Sequence, residues 1–313
     1  MDDIITEHAG SILRVQFNRP TKRNAMTSAM YVALAGIFNE AANDENTRVV
    51  LWHGAGDSFC AGNDIEDFLK NPPGPAESPQ AGLMNAFVNF DKPVVVAVHG
   101  AAIGGGTTML THCDFIYAAE SAKFQMPFIN LAVVPEFGSS CSVPARIGHL
   151  HAAELILLGS PFDARRAAEL GLVTQVLSDR DVLARATETA GKLAAKPAAA
   201  LQASKRLMKQ PCREQIKAAM KAENEEFQCA GPLRRRKRGV HGFPGKAQTR
   251  LHEECQIFSD RIGTENESRN IATENDHGKA DECVCVGWKP AEGFFQRDAG
   301  ECTDLARAVL DEA

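Results

Sequence analysis

No apolar run in this sequence approaches the ~20 residues a helix needs to cross a bilayer. The runs that exist, such as Val94 to Val98, are only long enough for a strand, so no membrane partner is expected. Positive charge is not in excess either. The net charge is -6, which gives nucleic acid no electrostatic reason to bind. The first residues, Met1-Asp2-Asp3-Ile4, are acidic and lack a basic stretch leading into an apolar one. No signal peptide is expected, and the default location is cytoplasmic. The nine cysteines are odd in number and scattered, unlike the framework of a disulfide-stapled secreted domain. No G-x-S-x-G elbow is present, which argues against serine hydrolysis. Metal-ligand spacing is missing as well. His149 and His151 lie two apart and share no helical face, and Cys283-Val284-Cys285 near His277 has no second pair. No metal site is expected.

What is present is an ordinary globular composition, 44% apolar and 24% charged in 313 residues, enough for a sizeable core. Up to about Ala230 strands and helices alternate, which predicts a layered α/β fold. Strands are predicted at Ile12 to Phe17, Arg48 to Trp52, Val94 to Val98 and Asp114 to Tyr117. Thr27 is placed to N-cap a helix to about Ala42 with an apolar stripe of Met30, Leu34, Ile37 and Phe38. Another helix is expected around Leu83 to Phe90. From His151 onward the pattern is mainly helical, through His151 to Leu158, Ala164 to Leu170, Asp181 to Ala195, Ala198 to Lys209 and Arg213 to Phe227. Asn71 to Pro79, rich in proline and glycine, reads as a mobile surface loop. No internal repeat is found.

Two glycine-bearing turns each follow a buried strand. One is Ser58-Phe59-Cys60-Ala61-Gly62-Asn63-Asp64, the other His99-Gly100-Ala101-Ala102-Ile103-Gly104-Gly105-Gly106. Glycines there free backbone N–H groups and let a ligand approach, and a helix N-terminus favours negative charge. Two such donors could hold one carbonyl oxygen as charge develops on it. Taken alone, such glycines read first as serving tight packing.

The motifs taken together are more specific. Asn18-Arg19-Pro20 with Arg23-Asn24-Ala25-Met26, then Phe59 to Asp64, then Lys92-Pro93 through His99-Gly100, then the glycine run with Cys113-Asp114, and finally Ala167-Ala168-Glu169-Leu170-Gly171-Leu172-Val173 occur in one order. From Ile12 to Phe227 the chain resembles the enoyl-CoA hydratase/isomerase (crotonase) family. The resemblance implies an α/β, crotonase-like spiral of ββα units to about residue 195, a helical part over 196–230, and a homotrimer or hexamer. It implies that the N–H groups of Asn63 and Gly105 form an oxyanion hole for an acyl-CoA thioester. The CoA adenine would lie near Lys22, Arg23 and Ala25, and against the backbone of Ala61, Asp64 and Ile65. The Asp64 side chain is expected to hold its turn. No cofactor is called for, since coenzyme A is part of the substrate.

Hydratases of this family use two glutamates. At those positions this chain has Thr108 and Phe128, and neither can act as a general base near neutral pH. The acid in the right neighbourhood is Glu136, within Val133-Val134-Pro135-Glu136-Phe137-Gly138-Ser139-Ser140. In isolation it reads as a solvated loop residue. Its apolar surroundings would raise its pKa, and Phe137 to Ser140 is a plausible helix start. The segment from Met126 to Ser140 resembles the peroxisomal type of Δ3,Δ2-enoyl-CoA isomerase and its bacterial relatives, in which a glutamate here is the sole acid/base. The expected activity is isomerisation of 3-enoyl-CoA to 2-trans-enoyl-CoA in fatty-acid breakdown. The alternatives are hydration, another thioester-enolate reaction, or acyl-CoA binding without turnover.

Beyond Ala230 the character changes. Arg234 to Arg238 is a basic run, best read as solvated charge in a chain of net negative charge. Shifted by one base, codons for Arg238 to Leu251 can encode an amphipathic helix with a Lys-Arg-Lys-Pro ending typical of the family. Residues 231–313 are therefore expected to be an atypical tail, disordered or read out of frame.

Overall fold

The computed structural model describes residues 2–70 and 78–229. The segment 71–77, most of the expected loop, and the tail 231–313 lie outside the described residues. The chain opens with a hairpin of β1 (Ile4–Ala9) and β2 (Ile12–Phe17). Thr27 then caps α1 (Ser28–Asn43), its Oγ1 accepting from Met30 N–H at 3.3 Å. β3 (Val49–Gly54) is followed by α2 (Ile65–Lys70) and α3 (Pro79–Asn89). Here the expected loop ends early. Ser78 caps α3 and Pro79 is its first residue, a position where a missing N–H does no harm. β4 (Val94–Val98), β5 (Ala101–Ile103) and the single turn α4 (Gly105–Thr108) come next, then β6 (Phe115–Ala119) and β7 (Lys123–Gln125). The rest is α5 (Ser139–Ile147), α6 (His149–Leu157), β8 (Phe162–Asp163), α7 (Ala164–Glu169), β9 (Gln175–Leu177), α8 (Val182–Ala194) and α9 (Ala198–Cys229).

The strands form a six-stranded sheet in the order β1-β2-β3-β4-β6-β9 and a three-stranded sheet in the order β5-β7-β8. From β2 outward the large sheet is parallel. The chain visits the large sheet, then the small one, then a helix, and repeats. β4 leads to β5 and α4, and β6 leads to β7. After β3, Cys60 bridges to Ala102 and so joins the small sheet's edge. This alternation is the winding expected of ββα units.

Period-two side-chain alternation divides the core into two faces. Val50, Trp52, Val94, Val96 and Val98 pack with Met30, Leu34 and Phe38 of α1 and Leu83 and Phe87 of α3. Val49, Leu51, Val95 and Ala97 point the other way, onto Val182, Ala186 and Ala190 of α8. β3 and β4 are thus buried on both faces, as a parallel sheet requires. Tyr31 joins the first cluster and is 1% exposed, whereas Ile37, placed in the stripe by periodicity, is only half-buried.

The two helices expected on either side of Gln210 to Cys212 are one 32-residue helix, α9, with Pro211 inside it. Proline removes one N–H and orphans the carbonyl of Leu207. Leu207 is 65% exposed, so water can take that carbonyl's bond. Side chains on both sides of the proline also hold the helix down. Lys209 Nζ donates to Phe87 O at 3.0 Å, and Arg213 pairs with Asp91. No helix among the described residues is long and apolar enough to cross a membrane.

Candidate active site

The two glycine turns are bonded to each other. Cys60 N–H donates to Ala101 O and Ile103 N–H donates to Cys60 O, both at 2.9 Å. The approach leaves no room for side chains. A methyl group at Gly106 would lie 2.5 Å from Cys60 O, and one at Gly62, whose φ is +91°, would lie 2.9 Å from Ile103 O. This is the packing duty that glycines in such turns can have, and here it also brings Asn63 and Gly105 together.

Met26 bonds the first turn on both sides of Asn63. Its N–H donates to Gly62 O at 2.7 Å, and its carbonyl accepts from Asp64 N–H at 2.8 Å. Asn63's own N–H is left out of this bridge. Gly105 is the first residue of α4, where an N–H has no partner within the helix. Neither N–H has an acceptor among the described residues.

Glu136 arrives from a different part of the chain. Its Oε1 would lie 3.1 Å from a methyl group at Gly105, with Met26 Cε and Tyr31 Oη at 3.4 Å. The residue keeps some surface exposure, but its carboxyl is enclosed. Burial, and then the negative charge of Glu223, push its pKa up to about 7. The turn that presents it is strained, because Phe137 has a φ of +65°, rare for a residue with a bulky side chain. Packing fixes that strain. The Phe137 side chain is fully buried, and its carbonyl accepts from His112 Nε2 at 2.7 Å. Burial pushes His112 down to about 4, so its ring is neutral and can carry the proton on Nε2.

Two side chains at the site escaped the sequence reading. Tyr31 donates its hydroxyl to Asn63 Oδ1 at 2.5 Å. Burial, then the Glu136 charge, raise its pKa well above the ordinary phenol value. A phenol inside an apolar helical stripe was the available signal, since a buried hydroxyl needs a partner. Glu223 of α9 accepts from Gly138 N–H at 2.7 Å, Ser140 N–H at 2.8 Å and Ser140 Oγ at 2.6 Å. It sits in the Arg213 to Phe227 stretch, which the sequence marks as an amphipathic helix without singling out this residue.

The other expected site residues are placed as follows. Thr108 is fully buried, and its hydroxyl donates back to Gly104 O at 3.3 Å. Phe128 is buried in the core at 5% exposure. Lys22 and Arg23 are exposed and Ala25 is half-buried. They lie beside the first glycine turn, since Ala61 N–H donates to Arg23 O at 3.0 Å. Lys22 Nζ is 3.8 Å from Glu66. Asp64 is buried and holds the turn, as expected of its side chain. It accepts from Arg19 Nη1 and Nη2 at 3.0 Å and from Asp67 N–H at 3.1 Å. Its own N–H is engaged with Met26 O, and its carbonyl accepts from Phe68 N–H at 2.8 Å. Asp64 therefore offers a ligand no free N–H, which narrows its expected part in substrate binding. Ile65 begins α2. Among the described residues no group of His, Cys, Asp and Glu is arranged to hold a metal ion.

Comparison with known proteins gives a consistent picture. Residues 7–254 match the family model described as enoyl-CoA hydratase/isomerase, a span that runs past Ala230. Enoyl-CoA delta isomerase 2 of Rattus norvegicus is 33% identical over 226 residues, 70% of this chain and 58% of that protein. The chain thus spans little more than half of that relative. The 1,2-epoxyphenylacetyl-CoA isomerase of Escherichia coli K12 is 31% identical over 79% of this chain and 97% of its own length. Among solved structures, an enoyl-CoA hydratase/isomerase from Pseudoalteromonas atlantica T6c superposes with a TM-score of 0.70 at 36% identity, covering 72% of this chain and 90% of that one.

Proposed function

The chain belongs to the enoyl-CoA hydratase/isomerase family, and from that premise we propose that it isomerises 3-enoyl-CoA to 2-trans-enoyl-CoA in fatty-acid breakdown. Its mixed α/β architecture with a helical C-terminal part is the crotonase fold. The observation that carries the proposal is the carboxyl of Glu136 against Gly105, with a pKa raised to about 7. A base that exchanges its proton near neutral pH suits transfer in both directions.

In this reading the thioester oxygen lies between the N–H groups of Asn63 and Gly105. Glu136 removes a proton from C2, and the charge of the resulting dienolate falls on the oxygen held by the two donors. The same carboxyl returns the proton to C4. One base suffices because no water is added, and the shift is redox-neutral, so no cofactor is required. Coenzyme A would lie along Lys22, Arg23, Ala25 and the Ala61 to Ile65 turn. Thr108 and Phe128 supply no second acid to activate water, which disfavours hydration. We further propose a cytoplasmic homotrimer or hexamer.

Substitution of Glu136 by Gln keeps the shape and removes the proton carrier. Isomerisation should fall by at least about a hundredfold with acyl-CoA binding retained. The same assay run with 2-enoyl-CoA should give little or no 3-hydroxy product from the wild-type protein. Near-normal turnover by E136Q, or efficient hydration by the wild type, would sink the proposal.

A further inference from the structure

The turn that carries Glu136 is held from a distant part of the sequence. Gly138 is the N-cap of α5 and has no side chain to satisfy the first N–H groups of that helix. Those donors still need acceptors. Glu223 supplies them from α9, binding Gly138 N–H, Ser140 N–H and Ser140 Oγ. α9 comes close enough here that a methyl group at Gly138 would lie 2.8 Å from Ile216 Cγ2 and 3.3 Å from Met220 Cγ. A carboxylate with three donors at a helix N-terminus is favourably placed. Gly138, one of the residues it binds, lies two residues in sequence from Glu136.

We propose that Glu223 is a positioning residue for the reaction: its carboxylate clamps the strained Glu136-Phe137-Gly138 turn to α9 and sets the electrostatic environment of the base. The proposal rests on the reading of Glu136 as the base. The groups facing Glu136 support it. Tyr31 on α1 and Cys60 after β3 are both buried, with pKa values raised, the thiol's to about 12, so both are neutral. His112, which bonds Phe137, is neutral as well. Burial raises the Glu223 carboxyl too, while its three hydrogen bonds pull the other way. The net direction is upward, with burial the larger cause. Cys141 on α5, a titratable neighbour of Glu223, is raised by burial, then by Cys212 and then by Glu223. Among the described residues Glu223, when ionised, is the charge that acts on the base, and it raises the pKa of Glu136 after burial has done so.

The test separates charge from geometry. The Glu136 carboxyl is followed by NMR in protein labelled at the glutamate carboxyl carbon, with E136Q used to assign the signal. In Glu223→Gln the Glu136 titration should fall by about one pH unit, and the acid limb of kcat should move down with it. In Glu223→Asp the charge remains but the shorter side chain cannot reach all three donors. There the titration should stay near the wild-type value while kcat falls at least several-fold with little change in KM. A Glu136 titration unmoved in E223Q overturns the proposal, as does wild-type kcat in E223D. If E223Q does not fold, Ser140→Ala decides. It removes one donor, so kcat should drop a few-fold at constant KM, and an unchanged kcat overturns the clamp. A wild-type protein without isomerase activity would defeat the functional reading alone, because the carboxyl titration is read without turnover.

Discussion

A carboxyl that keeps its proton to about pH 7 destabilises the fold once it ionises. Glu136 has a folded pKa of about 7 against an ordinary 4.5. Between those values the native state holds a proton that the unfolded chain has released, so stability falls as pH rises through this window. Above it the loss is complete, and below about pH 4.5 it is absent. The E136Q variant carries no such charge. It should be more stable than the wild type at pH 8 by on the order of 1–3 kcal/mol, with the difference vanishing near pH 4.5, as urea melts at the two pH values would register. Catalysis runs the opposite way, because only the ionised form can take a proton. Turnover should therefore be lost as pH falls below about 7. Tyr31 is expected to act on the other side of the site. Its hydroxyl holds the Asn63 side chain at 2.5 Å, on the residue that would supply one oxyanion donor. Tyr31→Phe leaves Asn63 Oδ1 without that donor, and the usual worth of one such bond predicts roughly a tenfold loss in kcat. Unchanged kcat in Y31F would mean that Asn63 keeps its place without the bond.

At the level of elements, α9 carries a testable irregularity. Pro211 is exposed within the helix, and the Leu207 carbonyl lacks its intrahelical partner. Pro211→Ala would restore that bond with no core contact disturbed. It should raise stability by about 1–3 kcal/mol, and a thermal melt no higher than the wild type's would show that the proline costs α9 nothing there. The same proline shows where sequence reading stopped. Its local chemistry argued for two helices, and the ties of Lys209 and Arg213 to α3 and Asp91 overrode it. β2, β4 and α1 were legible because their burial is strictly periodic or continuous over five or more residues. β1 was not, since four of its six residues are exposed and its pattern carries no alternation. β5, β7 and β8 are two or three residues long, too short to have a period. In the site, the glycine turns and Glu136 were visible as local motifs. Tyr31 and Glu223 lie 32 and 85 residues from the groups they bond, and no local pattern reports a contact at that range.

For the whole molecule, the described surface is not uniformly polar. Single exposed leucines are ordinary, but α6 carries several. Leu150 is 82% exposed, Leu157 and the adjacent Leu158 are each 64% exposed, and Leu150 and Leu157 lie seven residues apart, on one helical face. The neighbouring loop adds Ile129 at 54% and Leu131 at 41%. That loop is tied to the end of α6, because Asn130 Nδ2 donates to Gly159 O at 2.9 Å. An apolar area built from two adjoining segments is costly to leave in water. A closed homo-oligomer would cover it by repeating one contact around an axis, which is the trimer or hexamer proposed above. None of these side chains belongs to the glycine turns or to the Glu136 turn, so assembly and chemistry can be separated. The wild-type protein should sediment as three or six chains. The double variant Leu150→Lys, Leu157→Lys places two charges on that face and should sediment as a monomer with an unchanged circular dichroism spectrum. A monomeric wild type, or a double variant that assembles as the wild type does, would remove α6 from the interface and leave its leucines without a partner.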